Sequence, residues 1–178
     1  MPLRSSAQKY GSVAIAIHWL TALAIVLMLA SGLNAGNMPD GAQKLGLLRF
    51  HAITGMLVGV LTLLRILWWL LFDKHPENPP GTRGPQLWAA RLVHLGLYVV
   101  ILVMVSSGFA TVILTGANLQ LFGNAPLPLP DFSLAPPFTV HGIVARLLIA
   151  LLLAHIGAAL WHQFARRDRL LARMGLGR

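Results

Sequence analysis

Residues 141–162, HGIVARLLIALLLAHIGAALWH, form an almost wholly apolar run that holds three of the seven histidines. His141 and His155 are 14 residues apart. On an α-helix that spacing leaves them about 40° apart around the axis and about 21 Å apart along it. The hydrocarbon core of a bilayer is about 30 Å thick. One helix therefore offers an imidazole near each face of a membrane, and each imidazole needs a partner from another helix.

Composition supports a membrane setting. Of 178 residues 56% are hydrophobic and 11% charged, against about 25% charged in soluble domains. A net charge of +9 would suggest nucleic acid if it were clustered on a soluble face. Here the cations fall mostly between apolar runs, where they act on membrane orientation. Cysteine is absent, which excludes disulfides, thiolate zinc sites, cysteine-ligated iron–sulfur clusters and covalent haem attachment. Residues 1–12 are polar and the run after them is too long for a signal-peptide core, so no cleavable signal is expected. A single membrane domain is expected over 1–178.

Four spans follow in order, about 13–33, 52–72, 92–115 and 138–164. The expected fold is all-α, an integral membrane four-helix bundle with antiparallel neighbours. Arg4 and Lys9, then Lys74, Arg83 and Arg91, then Arg166, Arg167, Arg169, Arg173 and Arg178 lie in the first arm, the 73–91 loop and the tail. The other two loops hold only Lys44 and Arg49. The positive-inside rule places both termini in the cytoplasm.

Depth then sorts the histidines. His18, early in span one, and His155, late in span four, fall in the cytoplasmic half; His51 and His141 fall in the outer half. The pairs matched in depth are His18/His155 and His51/His141. A lone intramembrane histidine reads plainly as a helix–helix hydrogen bond, but four at paired depths suit something else. Haem iron takes two axial imidazoles from facing helices. Zinc would require at least three ligands at one level, and a hard cation would require carboxylates, which no span contains. Small residues one turn away (Ala14, Ala22, Gly55, Gly59, Ala145, Ala158 and Ala159) leave room for a macrocycle, or simply for close helix packing. Arg65, 14 residues after His51, and Arg146, five after His141, need anionic partners. Haem propionates would serve, with snorkelling to headgroups the alternative. His94 could replace a ligand, contact a quinone or face water; His162 and His75 read as solvated.

At these residues the chain resembles the bacterial cytochrome b561 family. The matching pieces are AIAIHWL, RFHAITGMLVGV with LLRILWWL, VHLGLY followed by SSGF, the two histidines and His162 of span four, and DRLLARM after them. The resemblance implies two non-covalent b haems per chain with His18, His51, His141 and His155 as ligands, and quinone as the usual electron partner. Bis-histidine iron has no open coordination site, so outer-sphere electron transfer between quinone and a donor is the expected function, with activity as a quinone-coupled oxidoreductase left open. Lys44 and Arg49 could steer a small anionic donor such as superoxide. The alternative is a cytochrome b subunit docked on a partner dehydrogenase or hydrogenase, without activity alone. A histidine-dependent metal or proton carrier is disfavoured by the lack of intramembrane carboxylates. The expected location is a bacterial cytoplasmic membrane, in contact with its lipid.

Overall fold

A computed structural model describes residues 2–78, 82 and 84–177. Arg83 and Arg178, used above for orientation, lie outside the described residues. Helices account for nearly all regular structure, and no strand occurs among the described residues. The long helices are α1 (Ser12–Gly36), α2 (Ala42–Leu71), α3 (Gly84–Leu114) and α5 (Pro136–Trp161). A short α4 (Asn118–Leu121) and a 3-10 turn (Phe132–Leu134) lie between α3 and α5. After α5 come a π-turn (His162–Arg166) and α6 (Leu170–Arg173). Four of the helices are long and apolar enough to cross a membrane.

The helices outrun the apolar segments. α2 begins ten residues before position 52, so Gln43, Lys44 and Arg49 are helical rather than loop. α3 likewise begins at Gly84 instead of 92. Backbone hydrogen bonding continues the helix past the point where side chains stop being apolar, because nothing in these stretches breaks it. Pro136 opens α5 at a position where its missing N–H costs nothing.

α1 packs on α2 and α3 on α5, two antiparallel hairpins joined mainly through α2 and α3. The core is a layer at mid-height: Ala24, Ile25 and Met28 of α1, Val58 of α2, Val100, Ile101 and Met104 of α3, and Leu148 of α5. Leu148 and Val58 are fully enclosed. Leu20, Leu63, Leu95, Phe109 and Leu153 are exposed on the outside, as lipid-facing side chains are. α5 is the least covered of the four long helices.

The first arm, the start of the α2–α3 loop and the tail meet at one end. Arg173 donates from Nε to Gln8 O at 2.8 Å and from Nη2 to Glu77 O at 2.6 Å. Trp19 Nε1 donates to Met174 O at 3.0 Å. Asp73 accepts from Ser5 N, Ser5 Oγ and Trp68 Nε1 at 3.0, 2.8 and 3.1 Å. This is the terminal end; the α1–α2 turn and the α3–α5 connection form the far end.

Candidate functional site

Two histidine pairs stand above and below the core layer. At the far end the rings of His51 and His141 have centroids 6.1 Å apart. At the terminal end those of His18 and His155 are 6.2 Å apart. Leu148 lies seven residues from each histidine of α5, about two turns either way. α1 makes its main helix contacts with α2 and α5 its own with α3, so each pair joins helices of different hairpins.

The separation has chemical content. Two metal–imidazole bonds of about 2 Å, with about 1 Å from each nitrogen to its ring centre, put centroids about 6 Å apart. Both pairs meet that requirement. Among the described residues no three His, Cys, Asp or Glu side chains are placed to hold one metal ion together.

The far-end pair is tightly positioned. His51 Nδ1 lies 2.9 Å from Met28 O and must donate to it, since a carbonyl only accepts. Ser107 Oγ donates its one proton to Met104 O at 3.1 Å. His141 Nδ1, 3.1 Å from the same Oγ, must then be the donor. Each imidazole thus carries its proton on Nδ1 and keeps Nε2 as a bare donor atom, the form a metal requires. Glycines make the fit possible. A Cβ at Gly32 would stand 2.8 Å from His51 Cε1, and one at Gly108 3.1 Å from His141 Cε1. The sequence reading missed both. Gly55 and Gly59, which it named, face Met28 and Val105 instead and serve helix packing.

The terminal-end pair is set differently. Arg65 Nη1 is 2.8 Å from His18 Nδ1. Guanidinium has donors only, so His18 accepts and its own proton belongs on Nε2. To offer Nε2 to a metal, His18 must release Arg65. The Arg65 guanidinium also lies 5.9 Å from the Tyr98 ring centroid, and its Nε is buried without a hydrogen-bond partner. It has donor capacity to spare for an anionic acceptor. His94 is exposed, yet its ring is 5.2 Å from that of His155. Three imidazoles therefore meet here.

Arg146 behaves unlike Arg65. It is exposed, has no hydrogen bond or ion pair among the described residues, and lies about 160° around α5 from Leu148. The structure does not bring it to the histidines. His75 stacks on Trp69 at 3.9 Å in the loop, where burial and the nearby Arg65 charge hold its imidazole below its ordinary pKa. Lys44 is paired with Asp40 at 2.8 Å, and Arg49 donates to Gln120 O at 2.8 Å.

A membrane-spanning four-helix bundle with one facing histidine pair at each end defines a class, the multi-pass electron-transfer proteins of the cytochrome b type. Residues 9–177 match the family described as prokaryotic cytochrome b561, and the chain belongs to that family. It is 29% identical to cytochrome b561 homolog 1 of Escherichia coli K12, over 93% of this chain and 96% of that protein. Identity to homolog 2 of the same organism is 29%, over 98% and 95%. A Yersinia pestis protein named "Probable superoxide oxidase CybB" is 28% identical over 94% of this chain and 96% of its own length. Family membership implies b-type haem and electron transport.

Proposed function

We propose that this chain carries electrons across a bacterial cytoplasmic membrane through two b haems, held by His51/His141 and His18/His155, and exchanges them with membrane quinone. The observation that carries the reading is the pair of facing imidazole pairs, with centroids 6.1 and 6.2 Å apart, one at each end of α5. By the positive-inside rule the terminal end is cytoplasmic.

When bound, haem would supply one-electron redox chemistry. The rest falls to the protein. His51 and His141 present Nε2 with their Nδ1 protons fixed by Met28 O and Ser107 Oγ. Arg65, with donor capacity to spare, would hold a haem propionate, and His18 Nδ1 would then be free to carry its own proton. Arg146 was the other candidate for a propionate; its outward direction supports snorkelling to a headgroup instead. Leu148 and the mid-height core exclude water between the levels, so that electrons but not ions pass. His94, against His155 and open to the surface, contacts quinone.

Superoxide is the proposed small donor at the far end. The name of the Yersinia relative supports it, as does Arg49, whose bonded partner is a carbonyl rather than a carboxylate.

The test is a reduced-minus-oxidised spectrum with pyridine haemochrome quantitation on wild type, His18→Ala and His51→Ala. The expected result is two b haems per wild-type chain, with each variant losing one. A single haem in wild type, or none, would overturn the paired relay.

A further inference from the structure

α5 does not end in an ordinary way. The residues that follow it directly, His162–Arg166, take a π-turn. Arg167 and Arg169 then both adopt φ of 57°, the only non-glycine residues with positive φ among those described. A π-turn and two left-handed arginines are each costly in backbone terms, and such features collect at functional sites. All three serve one contact. They fold Asp168 back so that its Oδ2 meets His162 Nδ1, and Asp168 N also donates to His162 O. Asp168 Oδ1 and the neighbouring Gln163 Oε1 are buried acceptors without a partner. At the membrane–water boundary water can donate to both.

His162 lies seven residues beyond His155, hence on the same face of the helix and about 10 Å nearer the terminal end. The histidine–carboxylate pair thus stands between the terminal-end imidazoles and the aqueous phase. Arg166 Nε is 3.9 Å from Asp168 Oδ2 while its Nη1 donates to Gln86 of α3, and Arg167 and Arg169 are the sequence neighbours of Asp168. From α5, Trp161 sets its ring 5.3 Å from that of His162.

We infer that His162 and Asp168 form a proton relay that delivers protons to a quinone docked beside the terminal-end histidines. The inference rests on the quinone reading given above. Reduction of a quinone takes two electrons and two protons and forms two O–H bonds. The electrons arrive singly from the reduced terminal-end b haem, and the protons come from water. With its Nδ1–H held by a carboxylate, an imidazole donates a proton from Nε2 to a quinone oxygen and takes the next one at the same Nε2 from water. His162 contacts one quinone oxygen, beside the contact made by His94. Asp168 is a positioning residue that fixes the ring and its Nδ1 proton.

The experiment follows single-turnover reoxidation of the reduced protein by a short-chain water-soluble benzoquinone and, separately, by ferricyanide, which takes electrons without protons. Wild type, His162→Gln, Asp168→Asn and Asp168→Glu are compared at several pH values and in heavy water. His162→Gln and Asp168→Asn should slow the quinone reaction by about tenfold or more and leave haem content and the ferricyanide rate at wild-type values. Both should enlarge the solvent isotope effect and alter the pH profile, and Asp168→Glu should restore much of the rate. Equal slowing with both oxidants, or wild-type quinone rates in the variants, would overturn the relay alone. If quinone does not reoxidise the wild type while ferricyanide does, the quinone reading falls and the relay with it.

Discussion

The two ends of the bundle hold their histidines at nearly the same spacing, 6.1 and 6.2 Å between centroids, but by different means. At the far end each Nδ1 is bound to an uncharged oxygen acceptor, and a glycine lies against each ring. At the terminal end His18 accepts from a guanidinium, and a third imidazole and a tyrosine stand close by. The far end is prepared for a ligand in tautomer and in space. The terminal end must rearrange one cation first. A site built from neutral hydrogen bonds to backbone and hydroxyl groups is fixed; a site that contains a donor-rich cation bonded to one of its own imidazoles can redirect that cation.

The largest effect should come from filling the far-end glycines. Gly32→Leu would drive a branched side chain into the His51 ring, where a Cβ alone would already stand 2.8 Å away. The expected outcome is loss of the far-end haem, about half the total, with the terminal-end spectrum retained. Gly108→Ala meets His141 at 3.1 Å and should cost only partial occupancy. Haemochrome quantitation with low-temperature difference spectra checks both. Equal loss at the two ends would mean that the glycines serve general packing rather than the ring.

Arg65→Gln comes next and acts at the other end. Removing a cation close to an iron stabilises its oxidised form, so the terminal-end potential should fall. A tenfold change in the one-electron equilibrium, about 60 mV, is the scale expected. The far-end potential, about four turns away along α2, should hardly move. Spectroelectrochemical titration separates the two. A shift at the far end alone would show that Arg65 does not belong to the His18 side.

Much of this contrast is legible in the sequence, and the reason is geometric. Depth along a helix is linear in residue number, so four histidines in four apolar runs sort into levels, and the 14-residue step from His51 puts Arg65 at the level of His18. Direction is legible too where one helix is considered alone: five residues from His141 turn Arg146 well away from the histidine stripe. What escaped is whatever depends on contact between helices. Gly32 and Gly108 look like ordinary small residues in apolar runs, and only the neighbouring helix shows that each faces a ring. The approach of His94 to His155 depends on how α3 and α5 pack. The fold of Asp168 onto His162 depends on two left-handed arginines, a conformation that no residue pattern announces. The helical start of α2 at Ala42 escaped because polarity marks the edge of a lipid-facing run, not the end of a helix.

The smallest predicted effect concerns the cover over the terminal end, where the first arm is tied down by a carboxylate. Burial alone would raise the pKa of the Asp73 carboxyl, but donors from Ser5, Lys74 N and Trp68 outweigh it and hold the carboxyl below its usual range. A group with a depressed folded-state pKa contributes stability that is present above its unfolded pKa and is lost as pH falls through the folded value. Arm docking should therefore be constant at neutral pH and weaken only below the ordinary carboxylate range, near pH 4. Asp73→Asn removes the charge at every pH and should cost about 1 kcal/mol of docking, a small value because the site is partly solvated. Hydrogen exchange at the Ser5 amide, which donates to Asp73, reads the arm directly. It should speed up about fivefold in Asp73→Asn at neutral pH, as 1 kcal/mol requires, and the variant should lose the acid dependence seen in wild type. Should the arm stay protected in the variant, the docking must rest on Arg173, whose three donated bonds to Ala7, Gln8 and Glu77 carbonyls carry no titratable partner.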